Sequence, residues 1–239
     1  MAKKTRKRKT RTSRIRTWRG WLFRWAVRAV VGLSVLTLFF VMLYAVFNPP
    51  TTPYILSEGR RLGDVERVWV DFEDVAPAMP RSIVAAEDAN FCLHWGFDMT
   101  AIRAALAEGA NRGASTISQQ LVKNVYLWHG RSWLRKAMEA GLTPVVEMIW
   151  SKRRILEVYM NVVEFDEGVF GVEAAAQHYF GVSAKNLTDR QAALLAAVLP
   201  DPKGRSASQP SNSVSRRAQA IQGGAATIRA DGRDDCFES

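Results

Sequence analysis

The chain has 239 residues, of which 48% are hydrophobic, and a formal net charge of +10 that is unevenly spread. Twelve Lys and Arg residues precede residue 29 and no acid precedes Glu58, so the remaining residues carry about −2 (+10 minus 12). A basic arm on a slightly acidic body argues against a nucleic-acid-binding protein, whose cations would line the folded surface. The two cysteines, Cys92 and Cys236, exclude a disulfide-rich scaffold. Their spacing does not decide whether they pair, and the lack of a Cys/His cluster argues against a structural zinc site.

The basic arm, residues 1–28, leads into an apolar run, Ala29–Phe47, that contains no charged residue. As a helix its 19 residues would span about 28 Å, close to the thickness of a bilayer core. A cleaved signal peptide is the alternative, but its apolar region would be shorter, and no Ala-x-Ala cleavage site follows. We therefore expect a retained transmembrane helix over residues 29–47. By the positive-inside rule the arm is expected in the cytoplasm and the rest of the chain outside.

The remaining chain is predicted to comprise a proline-rich linker (48–61), one folded domain (62–229) and a disordered tail (230–239). Alternation predicts a strand at Val68–Phe72. Beyond it the pattern is helical, so the expected class is mainly α. The predicted helices are Arg81–Glu87, Met99–Gly109, one through Tyr126 begun by a capping box at Thr116, Trp133–Val163 kinked or split at Pro144, and Arg190–Leu199 begun by a capping box at Thr188. Gly223 and Gly224 are expected to weaken a C-terminal helix.

Two short segments, 87–98 and 113–124, concentrate polar residues in an otherwise apolar region. Glu87 ends an apolar helix, where partial burial would raise its pKa and suit it to act as a general base. An isolated acidic pair such as Glu87 and Asp88 is more often a solvated surface, and His94 is expected to be structural. The second segment opens a helix whose free N–H groups suit an anion, with Lys123 farther along. A capped, solvated helix is the alternative.

Five motifs follow in order. They are Glu87-Asp88-x-x-Phe91-x-x-His94-x-Gly96-x-Asp98, Gly113-x-Ser115-Thr116-Ile117-x-Gln119-Gln120-Leu121-x-Lys123-Asn124, Arg135-Lys136-x-x-Glu139, Lys152-x-x-Ile155-x-Glu157-x-Tyr159-x-Asn161, and Gly171-x-x-x-Ala175-Ala176-x-x-Tyr179-Phe180-Gly181. Together they resemble the glycosyltransferase domain of the peptidoglycan polymerases, in the layout of its monofunctional members, with an anchor and one domain. We expect no transpeptidase domain.

The resemblance implies a lysozyme-like, mostly helical fold with a membrane-embedded jaw, working at the outer face of the bacterial cytoplasmic membrane. The implied reaction polymerises lipid II into β-1,4-linked glycan strands by inverting displacement and releases undecaprenyl diphosphate. Proteins of cell division or elongation are expected partners, and nucleic acid is not. A membrane-anchored muramidase or lytic transglycosylase is the main alternative, and a catalytically silent scaffold is a further one.

Carried onto this sequence, the resemblance makes Glu87 the general base and Glu139 a second catalytic acid that positions the donor diphosphate. The resemblance fixes no cofactor: a divalent cation, Mg²⁺ or Mn²⁺, could bind at Glu139, and the sequence does not decide whether a metal is needed. Glu147 and Glu157 are reserve candidates for that role. The implied substrate-binding residues are Asp88, Arg103, Ser115, Thr116, Gln119, Gln120, Lys123, Asn124, Arg135, Lys136 and Lys152.

Overall fold

The computed structural model describes residues 12–107, 109, 113, 115–130 and 132–238. Residues 1–11 of the predicted basic arm and Ser239 of the predicted tail lie outside this range. The chain divides into two units, Met1–Leu43 and Tyr44–Ser239.

The first unit is dominated by one helix, α1 (Thr12–Tyr44). Its segment Trp18–Tyr44 has 27 residues and a mean hydropathy of 2.3, so it is long and apolar enough to cross a membrane. The predicted span of 29–47 therefore begins inside a longer helix. Its last three residues lie beyond the helix, in a turn and a bend.

The second unit is mainly helical, which confirms the expected class. Its helices within the described residues are α2 (Pro53–Leu62), α3 (Ala78–Glu87), α4 (Met99–Ala107), α5 (Ile117–Tyr126), α6 (Trp133–Ile149), α7 (Lys152–Val162), α8 (Val172–Phe180), α9 (Asp189–Val198), α10 (Asn212–Ala230) and α11 (Asp235–Glu238). Both predicted capping boxes are present, because Thr116 and Thr188 each accept from the backbone N–H three residues on. The architecture agrees with the lysozyme-like domain that the motifs predict.

The core lies where α5 packs against α7 and α6. The apolar faces of α5 and α7 are fully buried, as shown by the 0% exposure of Ile117, Leu121, Ile155 and Tyr159. A second layer packs α3 against α9 and α10. Alanines along α9 allow this close approach, and burial of these faces supplies most of the stabilisation. Glu87 lies at the end of α3, on the border between the two layers.

A small sheet flanks the core, with strands β1 (Glu66–Arg67), β2 (Glu164–Asp166) and β3 (Val169–Phe170) in the order β1-β3-β2. Strand β1 is parallel to β3, and β2 is antiparallel to it. The predicted strand at Val68–Phe72 was wrong. The side chain of Asn161 bonds both the N–H and the C=O of Val70, each at 2.9 Å, so a side-chain amide replaces the neighbouring strand.

Two predicted boundaries differ in the structure. Residues 53–61 of the predicted linker belong to α2, which Thr52 caps and which buries Ile55 and Glu58. The predicted helix at 133–163 does divide, but at Trp150–Ser151, and Pro144 lies inside the continuous α6. Burial of Glu139, Thr143 and Val146 on one face of α6 outweighs the helix-breaking tendency of the proline.

The C-terminus also differs from its prediction. Helix α10 runs unbroken through Gly223 and Gly224, and a Cβ at Gly224 would lie only 3.2 Å from the Cβ of Ala85. The glycine therefore lets α10 pack closely on α3. The tail was predicted to be disordered, but Asp235–Glu238 forms α11 and Phe237 is 0% exposed. A disulfide joins Cys236 to Cys92, which fixes the tail to the body.

Candidate active site

Glu87 is the last residue of α3, and its side chain opens into a cleft of about 520 Å³. The cleft is lined from α3, from the loop that follows it, from α4, from the start of α5 and from α10. The side chain of Glu87 is only 13% exposed. Burial raises the pKa of this carboxyl, and the bond from Gln120 and the charges of Arg217 and Lys123 oppose the rise. A partly desolvated carboxylate of this kind is a stronger base than a solvated one.

Two side chains hold the Glu87 carboxylate from opposite elements. Gln120 of α5 donates from Nε2 to one oxygen at 2.9 Å, and Arg217 of α10 lies 3.4 Å from the other. The Oε1 of Gln120 accepts a bond from the fully buried Tyr159 at 2.9 Å, which fixes the orientation of the amide. Gln120 was predicted to bind substrate, but both ends of its amide already have protein partners. Its position suits a residue that orients the Glu87 carboxylate.

Asp88 was also predicted to contact substrate, and in the structure both of its carboxylate oxygens have protein partners. Its side chain is 1% exposed. One oxygen lies 2.8 Å from Nε2 of His94, and the other accepts from the backbone N–H of Ile117 at 3.0 Å. Asp88 therefore ties the loop after Glu87 to the first turn of α5, and His94 has the structural role predicted for it.

The residues at the start of α5 have mainly structural roles. Thr116 and Gln119 form the capping box, and both are buried. The hydroxyl of Thr116 also donates to the carbonyl of Gly96 at 2.7 Å. Gly96 has a φ of +86°, and a Cβ there would meet Thr143 Cγ2 at 2.5 Å, so only glycine fits. Of the predicted residues here, Ser115 is exposed at the cleft wall.

Three cations gather beside this cleft. Lys136 donates to Ser115 Oγ at 3.2 Å and to Glu139, and Arg135 Nη1 lies 2.6 Å from Glu139 Oε2. Lys123 is half-buried, and its side-chain ammonium has no hydrogen-bond or salt-bridge partner among the described residues. Burial lowers the pKa of Lys123, the charges of Arg135 and Lys136 lower it further, and those of Glu139 and Glu87 raise it. An ammonium without a partner, near two more cations, is suited to an anionic ligand.

Glu139 lies behind these cations, with its side chain 4% exposed and each carboxylate oxygen engaged by a cation. Such a carboxylate orients Arg135 and Lys136 and has little surface for a ligand. In the described part of the chain no three His, Cys, Asp or Glu residues converge on a metal-sized site. The side chains around Glu139 therefore do not fit a protein-held Mg²⁺ or Mn²⁺, and we assign no step to a metal ion.

Three other predicted binding residues do not line the cleft. Lys152 bonds the carbonyl of His94 and the carboxylate of Glu147, at 2.7 and 2.8 Å, beneath the first motif. Asn124 is buried and holds the ring of His129 at 3.2 Å. Arg103 lies on the exposed side of α4. Glu157, a reserve candidate, is paired with Arg154 at 2.7 Å.

Sequence reasoning missed Arg217. The chain shows a basic helix around residue 217, but the 130 positions between Arg217 and Glu87 carry no local signal of their contact. The sequence predicted no role for Tyr159 of the fourth motif, and in the structure its hydroxyl orients the side-chain amide of Gln120.

Comparison with known proteins supports the motif resemblance. A family model described as Transglycosylase matches residues 56–225. A protein of Jannaschia sp. (strain CCS1) named biosynthetic peptidoglycan transglycosylase is 61% identical over 237 residues, covering 99% of each chain. Proteins with the same name from Pseudomonas fluorescens (strain SBW25) and Caulobacter vibrioides are 45% and 44% identical. The alignments cover 88% and 82% of this chain, and 92% and 87% of those proteins.

Proposed function

The chain belongs to the transglycosylase family and is a peptidoglycan glycosyltransferase of cell-wall synthesis, and we propose that it polymerises lipid II at the outer face of the cytoplasmic membrane. In the proposed reaction the 4-hydroxyl of the acceptor GlcNAc attacks the anomeric carbon of the lipid-linked strand. A β-1,4 C–O bond forms, the bond to the diphosphate breaks with inversion, and undecaprenyl diphosphate leaves with the electron pair. The hydroxyl proton passes to Glu87.

The burial of Glu87 carries this proposal. A general base must be ionised yet basic enough to take a proton from a hydroxyl as the hydroxyl attacks. The raised pKa of Glu87 supplies the basicity, and Gln120 and Arg217 hold the carboxylate in its ionised form. Both contacts leave the carboxylate bordering the cleft in which an acceptor sugar would lie.

The leaving diphosphate requires cations, because negative charge grows on it as the bond breaks. We assign this role to Lys123, Arg135 and Lys136. The last two also line a shallow pocket of about 310 Å³ with Ser132 and Trp133. The bond from Lys136 to Ser115 joins that pocket to the cleft of Glu87. Donor and acceptor can thus approach from adjoining sites, with Glu139 positioning the cations as a salt-bridge partner.

The substrate's polyprenyl tail explains the exposed apolar side chains near the site. Burying each methylene contributes about 0.8 kcal/mol, so the tail stays in the bilayer and the enzyme must meet it there. The first motif and α4 expose Leu93, Trp95, Met99 and Leu106, and α6 exposes Trp133, at 91%, with Leu134 and Met148. We propose that these side chains contact lipid, as Trp and Leu do at membrane interfaces.

Two features support the proposed orientation. The basic residues before α1's apolar segment favour a cytoplasmic N-terminus. The disulfide Cys92–Cys236 favours an oxidising compartment for the second unit, because cytosolic thiols are kept reduced. A reporter fused to the C-terminus that works only in the periplasm should be active, and a reporter that works only in the cytoplasm should be silent. The opposite pattern would refute this topology.

The reaction itself is tested by giving the purified protein two substrates separately. From lipid II it should form glycan strands and release undecaprenyl diphosphate. From finished peptidoglycan it should release nothing. Cleavage of the finished wall without polymerisation would establish the lytic alternative instead.

A further inference from the structure

The end of the chain folds back onto the loop that follows Glu87. We call residues 231–238 the C-terminal clamp. Its Cys236 is disulfide-bonded to Cys92, which lies 144 positions earlier in the first motif. Phe237 is 0% exposed, and the centre of its ring is 6.4 Å from that of Phe91. A buried aromatic ring and a covalent link one residue apart make this a built contact, unlike most chain termini, which fray.

Polar contacts attach the clamp on both sides of Glu87. Arg233 donates to the carbonyl of Ala89, two residues after Glu87, at 3.0 Å. Arg81, on the helix that ends with Glu87, lies 2.8 Å from Asp234. This ion pair is largely buried, with side chains 16% and 9% exposed, so solvent screens it less than a surface pair.

The loop is also held on its far side. Phe91 is fully buried and has the ammonium of Lys152 4.4 Å from its ring centre. His94 binds Asp88, and Asp88 binds the first N–H of α5. The segment 88–94 thus lies between two fixed supports, α5 and the clamp, and Glu87 is its immediate neighbour.

We infer that the C-terminal clamp is a positioning element of the glycosyltransferase site, and that Glu87 keeps its buried position only while Cys92 and Cys236 are joined. This inference rests on the proposed role of Glu87 as the base. Without the disulfide, side-chain contacts alone hold the clamp to the loop after Glu87, since its backbone–backbone bonds among the described residues reach only α10 and the clamp itself, and segments held in this way open readily. Opening removes support from Ala89 and Phe91 and admits water to the end of α3.

The test compares the full-length protein in its disulfide form with the same protein after reduction, verified by alkylation and mass measurement. Reduction should lower kcat several-fold, with KM for lipid II little changed. It should also move the acidic limb of the pH–rate profile to lower pH, because hydration lowers the pKa of Glu87. The charged and titratable groups that face Glu87, namely Asp88, Lys123, Tyr159 and Arg217, remain in place. Reoxidation should restore both values.

Variants separate positioning from simple loss of fold. The Cys92→Ser/Cys236→Ser double variant should match the reduced enzyme and ignore reductant. Arg233→Ala, which keeps the disulfide, should shift the limb in the same direction by less. Arg229→Ala is the matched control, because Arg229 is exposed on the last turn of α10 and should leave the limb unmoved.

Three results would overturn the inference. Equal kcat and equal limbs in the oxidised and reduced enzyme would show that the clamp does not act on Glu87. A lower kcat at every pH, without a shift of the acidic limb, would show only a loss of folded protein. In both cases the proposed function would stand. Absence of any polymer from lipid II with the oxidised enzyme would refute the proposed function, and this inference with it.

Discussion

Replacing Arg217 with Gln removes the positive charge beside Glu87 while keeping a neutral, polar side chain. The two groups are 3.4 Å apart. Coulomb's law at that distance gives about 1.2 kcal/mol with the dielectric constant of water and about 5 kcal/mol with an effective value of 20. The side chain of Arg217 is 38% exposed, so solvent screening favours the lower figure. Since 1.36 kcal/mol corresponds to one pKa unit, the pKa of Glu87 should rise by about one unit.

The sign of the effect on the rate follows from the role of the base. Only ionised Glu87 can accept the proton, so polymerisation increases as pH rises through its pKa. In Arg217→Gln the acidic limb of kcat against pH should move upward by about one unit. The plateau rate above the limb should fall far less than the rate on the limb. The assay is initial-rate polymerisation of lipid II by detergent-solubilised full-length enzyme across the acidic range.

The neighbouring Arg216 provides a matched control. It is exposed on α10, lines a different groove and makes no contact with Glu87. Arg216→Gln removes the same charge from the same helix and should leave the limb in place. A shift of equal size in both variants would show that the effect comes from the net charge of the protein and not from the contact between Arg217 and Glu87. No shift in Arg217→Gln would refute the electrostatic account of Glu87.

Further predictions concern packing and the cations. Gly96→Ala should destabilise the fold by about 3 kcal/mol, because φ is +86° and the new Cβ would meet Thr143. Gly141→Ala is the control: Gly141 lies in α6, and a Cβ there would have no atom within 4 Å, so this change should stabilise the fold by about 1 kcal/mol. Thermal unfolding measures both, and equal effects would contradict the close approach at Gly96. Lys123→Met should lower kcat by about 100- to 1,000-fold, as loss of a fixed transition-state donor does. Lys185→Met is its control, because the side chain of Lys185 is 66% exposed in a surface ion pair. Similar rates in both variants would show that Lys123 does not stabilise the leaving diphosphate.

The local features of the fold were the most predictable. The capping boxes at Thr116 and Thr188 depend on residues three apart, and they fix where α5 and α9 begin. The motifs also located Glu87 and the cations Lys123 and Arg135. Predictions failed where distant partners decide the local structure. Val70 is not in a strand, because Asn161, from a helix 91 positions later, takes both of its backbone groups.

The candidate site was predictable in its residues and less so in their roles. Thr116 and Gln119 were predicted both as a capping box and as substrate ligands, and their hydrogen bonds show the capping. Gln120 and Asp88 were chosen as polar groups for substrate, yet each is already satisfied by protein partners. A motif reports that a residue matters to the site, and the distinction between holding the base and holding the substrate depends on three-dimensional contacts.

The clamp shows the same limit at the level of domain boundaries. Its composition, with three Asp residues, a Glu, an Arg and a Gly, is typical of a disordered tail. The buried ring of Phe237 and the pairing of Cys236 with Cys92 order it instead. Their partners, Phe91 and Cys92, lie far from the clamp in the sequence.

The central claim is that Glu87 is the base of glycan polymerisation, and Glu87→Gln tests it most directly. The exchange keeps the shape of the side chain, and Gln cannot accept the proton. With lipid II as substrate, kcat should fall by about 100- to 10,000-fold, the usual contribution of a general base, while the unfolding temperature stays close to that of the wild type. Glu167→Gln, at an acid 52% exposed beside Arg61, should polymerise at the wild-type rate. A folded Glu87→Gln enzyme that polymerises as fast as this control would contradict the claim.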